Sequence, residues 1–416
     1  MIDKTTIPKN WKVARFFELL DYRQPTNYIV KSTEYDDNYK TPVLTAGKSF
    51  IIGYTNEKEG IFNSLPVIIF DDFTTATQFV NFPFKVKSSA MKILHPKDEF
   101  INIKFVFYYM QTVRIKSETH KRYWISEYSK LPIPLPSFSE QQQIVSKIEE
   151  LFSELDKGKQ QLETVKQQLK TYRQAVLKWA FEGKFTSVNE SAAGTSRDLS
   201  RSTDNLKSLP EGWKWVKTGD VIETIFNGYT PKGEFLTQNV GEIPFIKVYN
   251  LKFDGTLNFE KDPTFIPRSI HEKELKRSIC HPNDVLINIV GPPLGKVSVV
   301  PKKYKEWNIN QAIVLFRPNE KILSKYISYF LQNPATINWL EDTSKATAGQ
   351  WNVKVSTCRI IPIPLPPIPD QEQIILEIET RLSVSDKMEE TIENSLRQVE
   401  SLRQSILKQA FEGKLV

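Results

Sequence analysis

The side chains in this sequence with the clearest chemical potential are polar groups set among aromatics. Phe70-Asp-Asp-Phe-Thr-Thr-Ala-Thr-Gln-Phe79 leaves an apolar run and enters a polar loop. There Asp71 and Asp72 can accept from cytosine N4, Thr74 and Thr75 can meet a thymine methyl, and Gln78 can pair with adenine. The same composition also makes an ordinary surface turn. Lys85, Lys87, Ser88 and Ser89 follow and suit phosphate contacts. His120-Lys121-Arg122-Tyr123-Trp124 mixes cations and aromatics, fitting either a phosphate clamp or a salt-bridged junction; its counterpart begins at Lys345 and ends at Trp351. Asn308, Asn310 and Gln311 form an amide cluster, the natural bidentate partner of adenine and equally common in turns.

Covalent chemistry finds no comparable set. Gly291-Pro-Pro-Leu-Gly-Lys296 resembles a phosphate loop but is one residue short, carries Val297 where Ser or Thr would hold magnesium, and loses two amides to proline. Lys296 stays among the candidate DNA contacts. Asp262-Pro-Thr-Phe265 and Asn333-Pro-Ala-Thr336 each depart from the Asn/Asp-Pro-Pro-aromatic pattern of amino methyltransferases. Asp71 and Asp72, adjacent on a strand, would point to opposite sides. The four histidines lack metal-ligand spacing. We therefore expect no catalytic residue and no metal site.

The 416 residues carry a net charge of +7, and the two cysteines, Cys280 and Cys358, do not suggest a disulfide framework. Neither a membrane-length apolar run nor a secretory leader is evident, which points to the cytoplasm. Residues 1–137 and 186–367 each carry an excess of five positive charges, whereas 138–185 is near neutral and 368–416 is acidic. Two basic blocks suggest a polyanion.

These groups must be positioned by a duplicated chain. Leu131-Pro-Ile-Pro-Leu-Pro136 matches Ile361-Pro-Ile-Pro-Leu-Pro366, and Ala180-Phe-Glu-Gly-Lys184 matches Ala410-Phe-Glu-Gly-Lys414, at a constant offset of 230. Between them lie amphipathic helices of about 42 residues, or roughly 60 Å. Ser139 with Gln142, and Asp370 with Gln373, are the expected N-terminal signals, and Gly183 and Gly413 the C-caps. The first helix shows a 4-3 apolar seam from Ile144 to Trp179; the second is looser, with Met388 and Leu402 on the seam and Ser385 interrupting it. The helices pair with each other or with another protein. Antiparallel self-pairing predicts an α+β architecture in which two similar mixed α/β domains, related by a pseudo-twofold, are separated by a long two-helix coiled coil. The expected segments are 1–137, helix 138–185, a flexible polar linker 186–208, 209–367, and helix 368–416.

This pattern of Pro-x-Pro-Leu-Pro, a Glu/Asp-Gln-x-x-Ile-type helix start and Ala-Phe-x-Gly-Lys, written twice, closely resembles the specificity subunit (HsdS) of type I restriction–modification systems. The resemblance spans essentially the whole chain. It implies that 1–137 and 209–367 are target-recognition domains reading the two halves of a bipartite double-stranded DNA target. It further implies that the helices dock two modification (HsdM) subunits, which use S-adenosylmethionine to methylate adenine, and that two motor-nuclease (HsdR) subunits using ATP and Mg join for cleavage. The chain itself would need no cofactor. The competing readings are a coiled-coil scaffold joining two protein-binding domains, and a self-sufficient nuclease or methyltransferase.

Overall fold

The computed structural model describes residues 7–47, 49–115, 122–186, 208–344, 346–347 and 350–416. Lys121, Lys345 and nearly all of the expected linker lie outside these residues. The chain forms two compact units, Met1–Thr164 with Ile392–Val416, and Val165–Thr391.

In the first unit, β1 (Lys12–Arg15) pairs antiparallel with β9 (Pro132–Leu135). A four-stranded antiparallel sheet has the order β2 (Leu20–Arg23), β8 (Met91–Pro96), β5 (Val67–Asp71), β6 (Thr77–Val80). A smaller sheet places β3 (Thr41–Leu44) between β4 (Ile51–Thr55) and β7 (Lys85–Val86), with β3 and β7 parallel. Strand β5 is apolar at successive positions because both its faces are covered. Ile68 and Phe70 pack with Phe105, Tyr128 and Ile144, while Val67 and Ile69 pack with Leu44, Phe84 and Val86.

The second unit repeats this plan. β10 (Lys214–Lys217) pairs with β23 (Pro362–Leu365). The four-stranded sheet runs β11 (Ile222–Asn227), β20 (Ile313–Pro318), β16 (Val285–Asn288), β18 (Val297–Val299). The parallel pair is β13 (Ile243–Ile246) with β19 (Trp307–Ile309), in a sheet that adds β12 (Thr237–Gln238), β14 (Thr264–Ile266) and β15 (Ile279–Cys280). Three short strands, β17 (Val290–Gly291), β22 (Gln350–Asn352) and β21 (Ala346–Thr347), complete the unit.

The long helices span Phe138–Phe181 and Ile368–Phe411. Their starts differ from the sequence expectation. Ser137, not Ser139, caps the first, its Oγ accepting from Glu140 N at 3.3 Å. The acids of the first turns instead anchor tryptophans, with Glu140 accepting from Trp11 Nε1 at 2.8 Å and Asp370 from Trp213 Nε1 at 3.1 Å. Gln141 and Gln371 are buried and bind Asn102 N with Pro136 O, and Leu323 N with Pro366 O, so each helix start is locked to its own unit.

The helix ends follow the expectation. Gly183 (φ +75°) and Gly413 (φ +68°) are left-handed, and Lys184 N and Lys414 N reach back to Trp179 O and Gln409 O. A Cβ on either glycine would lie 2.2 Å from Cγ of Pro210 or Pro8. Phe181 packs edge-on against Tyr326 and Phe330, as Phe411 does against Phe105 and Tyr109. In the second helix Met388 and Leu402 are about half exposed, whereas Ser385 is buried. The inward line therefore runs through buried Ser385 and Ile392 and half-buried Leu382 and Leu396. Ion pairs accompany it inside each unit, Asp156 with Arg403 in the first and Asp386 with Arg173 in the second, the same two positions at the 230 offset.

Candidate nucleic-acid interface

The topology brings four loops to one end of each unit. In the first, β2 and β5 run toward the start of β8 from either side, since Arg23 lies opposite Ile93 and Asp71 opposite Met91. The parallel strands β3 and β7 end there too, where Lys87 N donates to Leu44 O. In the second unit Asn227 and Asn288 flank the start of β20, and Asn310 N donates to Ile246 O. The loops after β2, β3, β5 and β7 thus correspond to those after β11, β13, β16 and β19.

Nine sequence candidates reach these ends, and a tenth, Gln78, lies short of them on β6. Asp71 shapes its loop, accepting from Phe73 N and Thr74 N at 2.9 Å. Thr74 is exposed and Thr75 adopts φ +59°. Lys87 and Arg122 are exposed, and Ser88 is half-buried. In the second unit Gln311 is exposed, and Asn310 is half-buried, its buried Oδ1 without a hydrogen-bond partner among the described residues. Lys296 is half-buried, its Nζ 5.7 Å from the Phe253 ring. Gln78 lies half-buried on the edge strand β6, opposite Ile69.

Three candidates are corrected by burial. Asp72 is 2% exposed; its Oδ1 accepts from Trp124 N at 2.8 Å and its Oδ2 lies 3.5 Å from Lys92 Nζ. Lys85 is 1% exposed, paired with Glu57 at 2.7 Å and donating to Glu59 O. Burial pushes the Glu57 carboxyl up, but Lys85 and the amides of Ser32 and Lys31 outweigh it and hold the group below the ordinary range. Asn308 is fully buried and binds His271, Leu275 O and Ser278. Lys85 lies opposite Val43, and Asn308 opposite Phe245, so both occupy the same position of the parallel pair. Each ties its ladder to a neighbouring segment, Lys85 to Glu57 and Glu59 and Asn308 to His271, Leu275 and Ser278, and neither is free to touch DNA. Lys121 and Lys345 lie outside the described residues.

Several residues at these ends escaped the sequence reading. Tyr229, Tyr249 and Phe253 are exposed beyond 40%, and Lys247 Nζ stands 6.0 Å from the Tyr249 ring. The signal was present as aromatics beside lysines in a turn-rich stretch, Lys247 to Gly255.

Other chemistry is poorly served. Cys280 and Cys358 are buried, and burial pushes both thiols up, Cys358 to about 12. Among the described residues no group of three or more His, Cys, Asp or Glu could hold a metal ion. No helix there is long and apolar enough to cross a membrane. A cavity of about 920 Å³ in the first unit is lined by Tyr108, Glu149, Phe152, Asp156 and Arg403. Those groups already engage one another: Arg403 pairs with Asp156 and covers the Phe152 ring, and burial followed by the Glu149 charge pushes Tyr108 up to about 12.

Comparison with known proteins agrees with this duplicated plan. The family model described as the type I restriction modification DNA specificity domain matches residues 8–167 and again 210–398. The chain is 31% identical over 371 residues to the specificity subunit of the type I restriction enzyme EcoR124I/EcoR124II of Escherichia coli, covering 86% of this chain and 83% of that one. It is 28% identical to the EcoBI specificity subunit, also of Escherichia coli, over 68% of this chain and 58% of that one. In fold it is similar to a chain from a structural study of complex assembly in the type I R-M system, with TM-score 0.70, 18% identity and coverage of 98% and 99%. It is also similar to the HsdS subunit of Thermoanaerobacter tengcongensis, with TM-score 0.53, 17% identity and 98% of both chains covered. The chain belongs to the type I restriction–modification specificity subunits, the non-catalytic DNA-recognition members of those systems.

Proposed function

We propose that the chain reads a bipartite double-stranded DNA target, one half through the loop end of each unit. The observation that supports this best is the repetition itself: one strand order, written twice, gathers four corresponding loops at equivalent ends. There Lys87, Ser88, Arg122 and Lys296 suit phosphates, while Thr74, Asn310 and Gln311 suit base edges. In this reading residues 1–137 and 209–367 are the two target-recognition domains. The helices 138–185 and 368–416, paired as an antiparallel coiled coil with pseudo-twofold symmetry, set the spacing between half-sites, and 186–208 links the halves. The helices dock two modification subunits, which bind S-adenosylmethionine and methylate adenine. Two motor-nuclease subunits using ATP and Mg join for cleavage, and the assembly works in the cytoplasm.

The test is duplex binding by the full chain across a salt series, with and without its modification subunit. Recognition predicts that log K falls linearly with log salt, by about 0.9 per phosphate contact, above a sequence-selective component. A chain that captures protein partners but shows neither salt-dependent nor selective DNA binding would instead be a scaffold.

A further inference from the structure

We infer that Phe253 is a wedge that enters between adjacent base pairs of the half-site read by the second unit, with Lys296 on the neighbouring phosphate. This deepens the DNA-reading function proposed above and rests on it.

Phe253 stands at the tip of a short hairpin turn. Leu251 bridges Leu257, and Lys252 N donates to Thr256 O. Gly255 takes φ +86°, and Asp254 Oδ1 accepts from both Thr256 N, at 2.9 Å, and Thr256 Oγ1, at 2.6 Å. Both arms are fastened to β18: Val297 N donates to Lys252 O at 3.2 Å, Ser298 Oγ donates to Thr256 O at 2.6 Å, and Gly255 bridges Ser298. This backbone has little freedom left, yet it holds a phenylalanine that is 54% exposed. The fold gains little from an apolar ring presented this way, and a pre-organised ring loses little entropy on contact. The cation beside the ring is Lys296, 5.7 Å away at the end of the loop that follows β16. An apolar ring beside a cation matches a base step beside its phosphate, and inserted apolar side chains unstack and kink DNA in this way. Tyr249 repeats the chemistry nearby, its ring beside Lys247 and its hydroxyl donating to Asp262 O at 2.9 Å.

The test starts from duplexes that the full chain selects from a random library. 2-Aminopurine is then placed at successive steps of each half-site. The wedge predicts that fluorescence rises on binding at one step of one half-site. Phe253→Ala abolishes that rise and weakens binding roughly 5- to 150-fold, the range of one aromatic–base stack. Phe253→Trp keeps both, and neither variant changes the melting temperature. If Phe253→Ala binds the selected duplex within about twofold and keeps the fluorescence rise, the wedge is overturned while DNA reading stands. If it loses only association with the modification subunit, the ring serves a protein contact and the wedge is likewise overturned. If the wild-type chain selects no sequence, the proposed function and the wedge fall together.

Discussion

The buried pair Lys92–Asp72 offers a sharp test of the packing account, because the second unit contains the same site without charge. Asp72 N donates to Ala90 O, as Ile289 N donates to Ala312 O. Lys92 lies opposite Phe70 in the ladder, as Val314 lies opposite Ile287. An ion pair in one unit thus stands where Ile289 and Val314 pack in the other, and all four side chains are buried. At 3.5 Å the attraction is about 5 kcal/mol at an effective dielectric constant of 20. The desolvation of two ions opposes it. Asp72→Ile alone leaves a buried ammonium and removes the acceptor of Trp124 N, so about 3–5 kcal/mol of local stability should be lost. Lys92→Val alone should behave similarly. The double variant, which puts the apolar pair of the second unit in this place, should recover the part due to the lone charge while Trp124 N stays without its acceptor, a coupling of roughly 3 kcal/mol or more. Because the chain has two units, a single unfolding midpoint is a poor readout. Hydrogen exchange at the β5 and β8 amides in the full chain reports the local stability instead. A single variant losing under about 1 kcal/mol, or a double variant as unstable as the sum of the singles, would refute the reasoning.

Other substitutions probe the helix ends, the loop ends and the spacing. Gly183→Ala and Gly413→Ala force a Cβ onto Pro210 or Pro8 in a left-handed backbone, and each should lower local stability by about 2 kcal/mol or more, read by hydrogen exchange at the amides of the unit that holds the glycine. Gly158→Ala, with nothing within 4 Å, should instead raise stability by about 0.5–1 kcal/mol. Lys87→Ala should reduce the salt slope of DNA binding by about 0.9 with melting unchanged, whereas Lys85→Ala should destabilise the first unit by removing the buried cation paired with Glu57. Inserting one heptad into both long helices, roughly 10 Å, should lengthen the spacer of the recognised motif by about three base pairs with both half-sites intact, read by sequencing the methylated motif.

The repeat was legible because an apolar seam and its end signals depend on local spacing, which a constant 230-residue offset preserves. Gly183 and Gly413 were legible for the same reason, since a left-handed terminus selects its residue type. The cap was misplaced by two residues. Ser137 and Glu140 also form a Ser-x-x-Glu pattern, and the choice turned on Trp11, 129 residues from the Glu140 that it binds. Met388 and Leu402 were placed inward because the seam reading followed apolar residues. The helix instead buries Ser385 and sets Glu389 and Arg403 beside cross-helix partners, which spacing alone does not reveal. At the loop ends the errors share one cause. Asp72, Lys85 and Asn308 have side chains suited to DNA, but their exposure is decided by ladder positions formed by distant strands. The exposed aromatics were overlooked for the converse reason: Phe253 reads as core until the turn that holds it outward is seen.

The central claim is that each unit reads its own half of one target. The most direct measurement is the methylated motif in a host carrying this chain with its modification subunit, compared between the wild type and two sets of substitutions, Thr74 with Thr75 in the first unit and Asn310 with Gln311 in the second. The account predicts a bipartite motif in which each set alters one half and leaves the other unchanged. A single continuous motif, or substitutions in one unit that alter both halves, would contradict it.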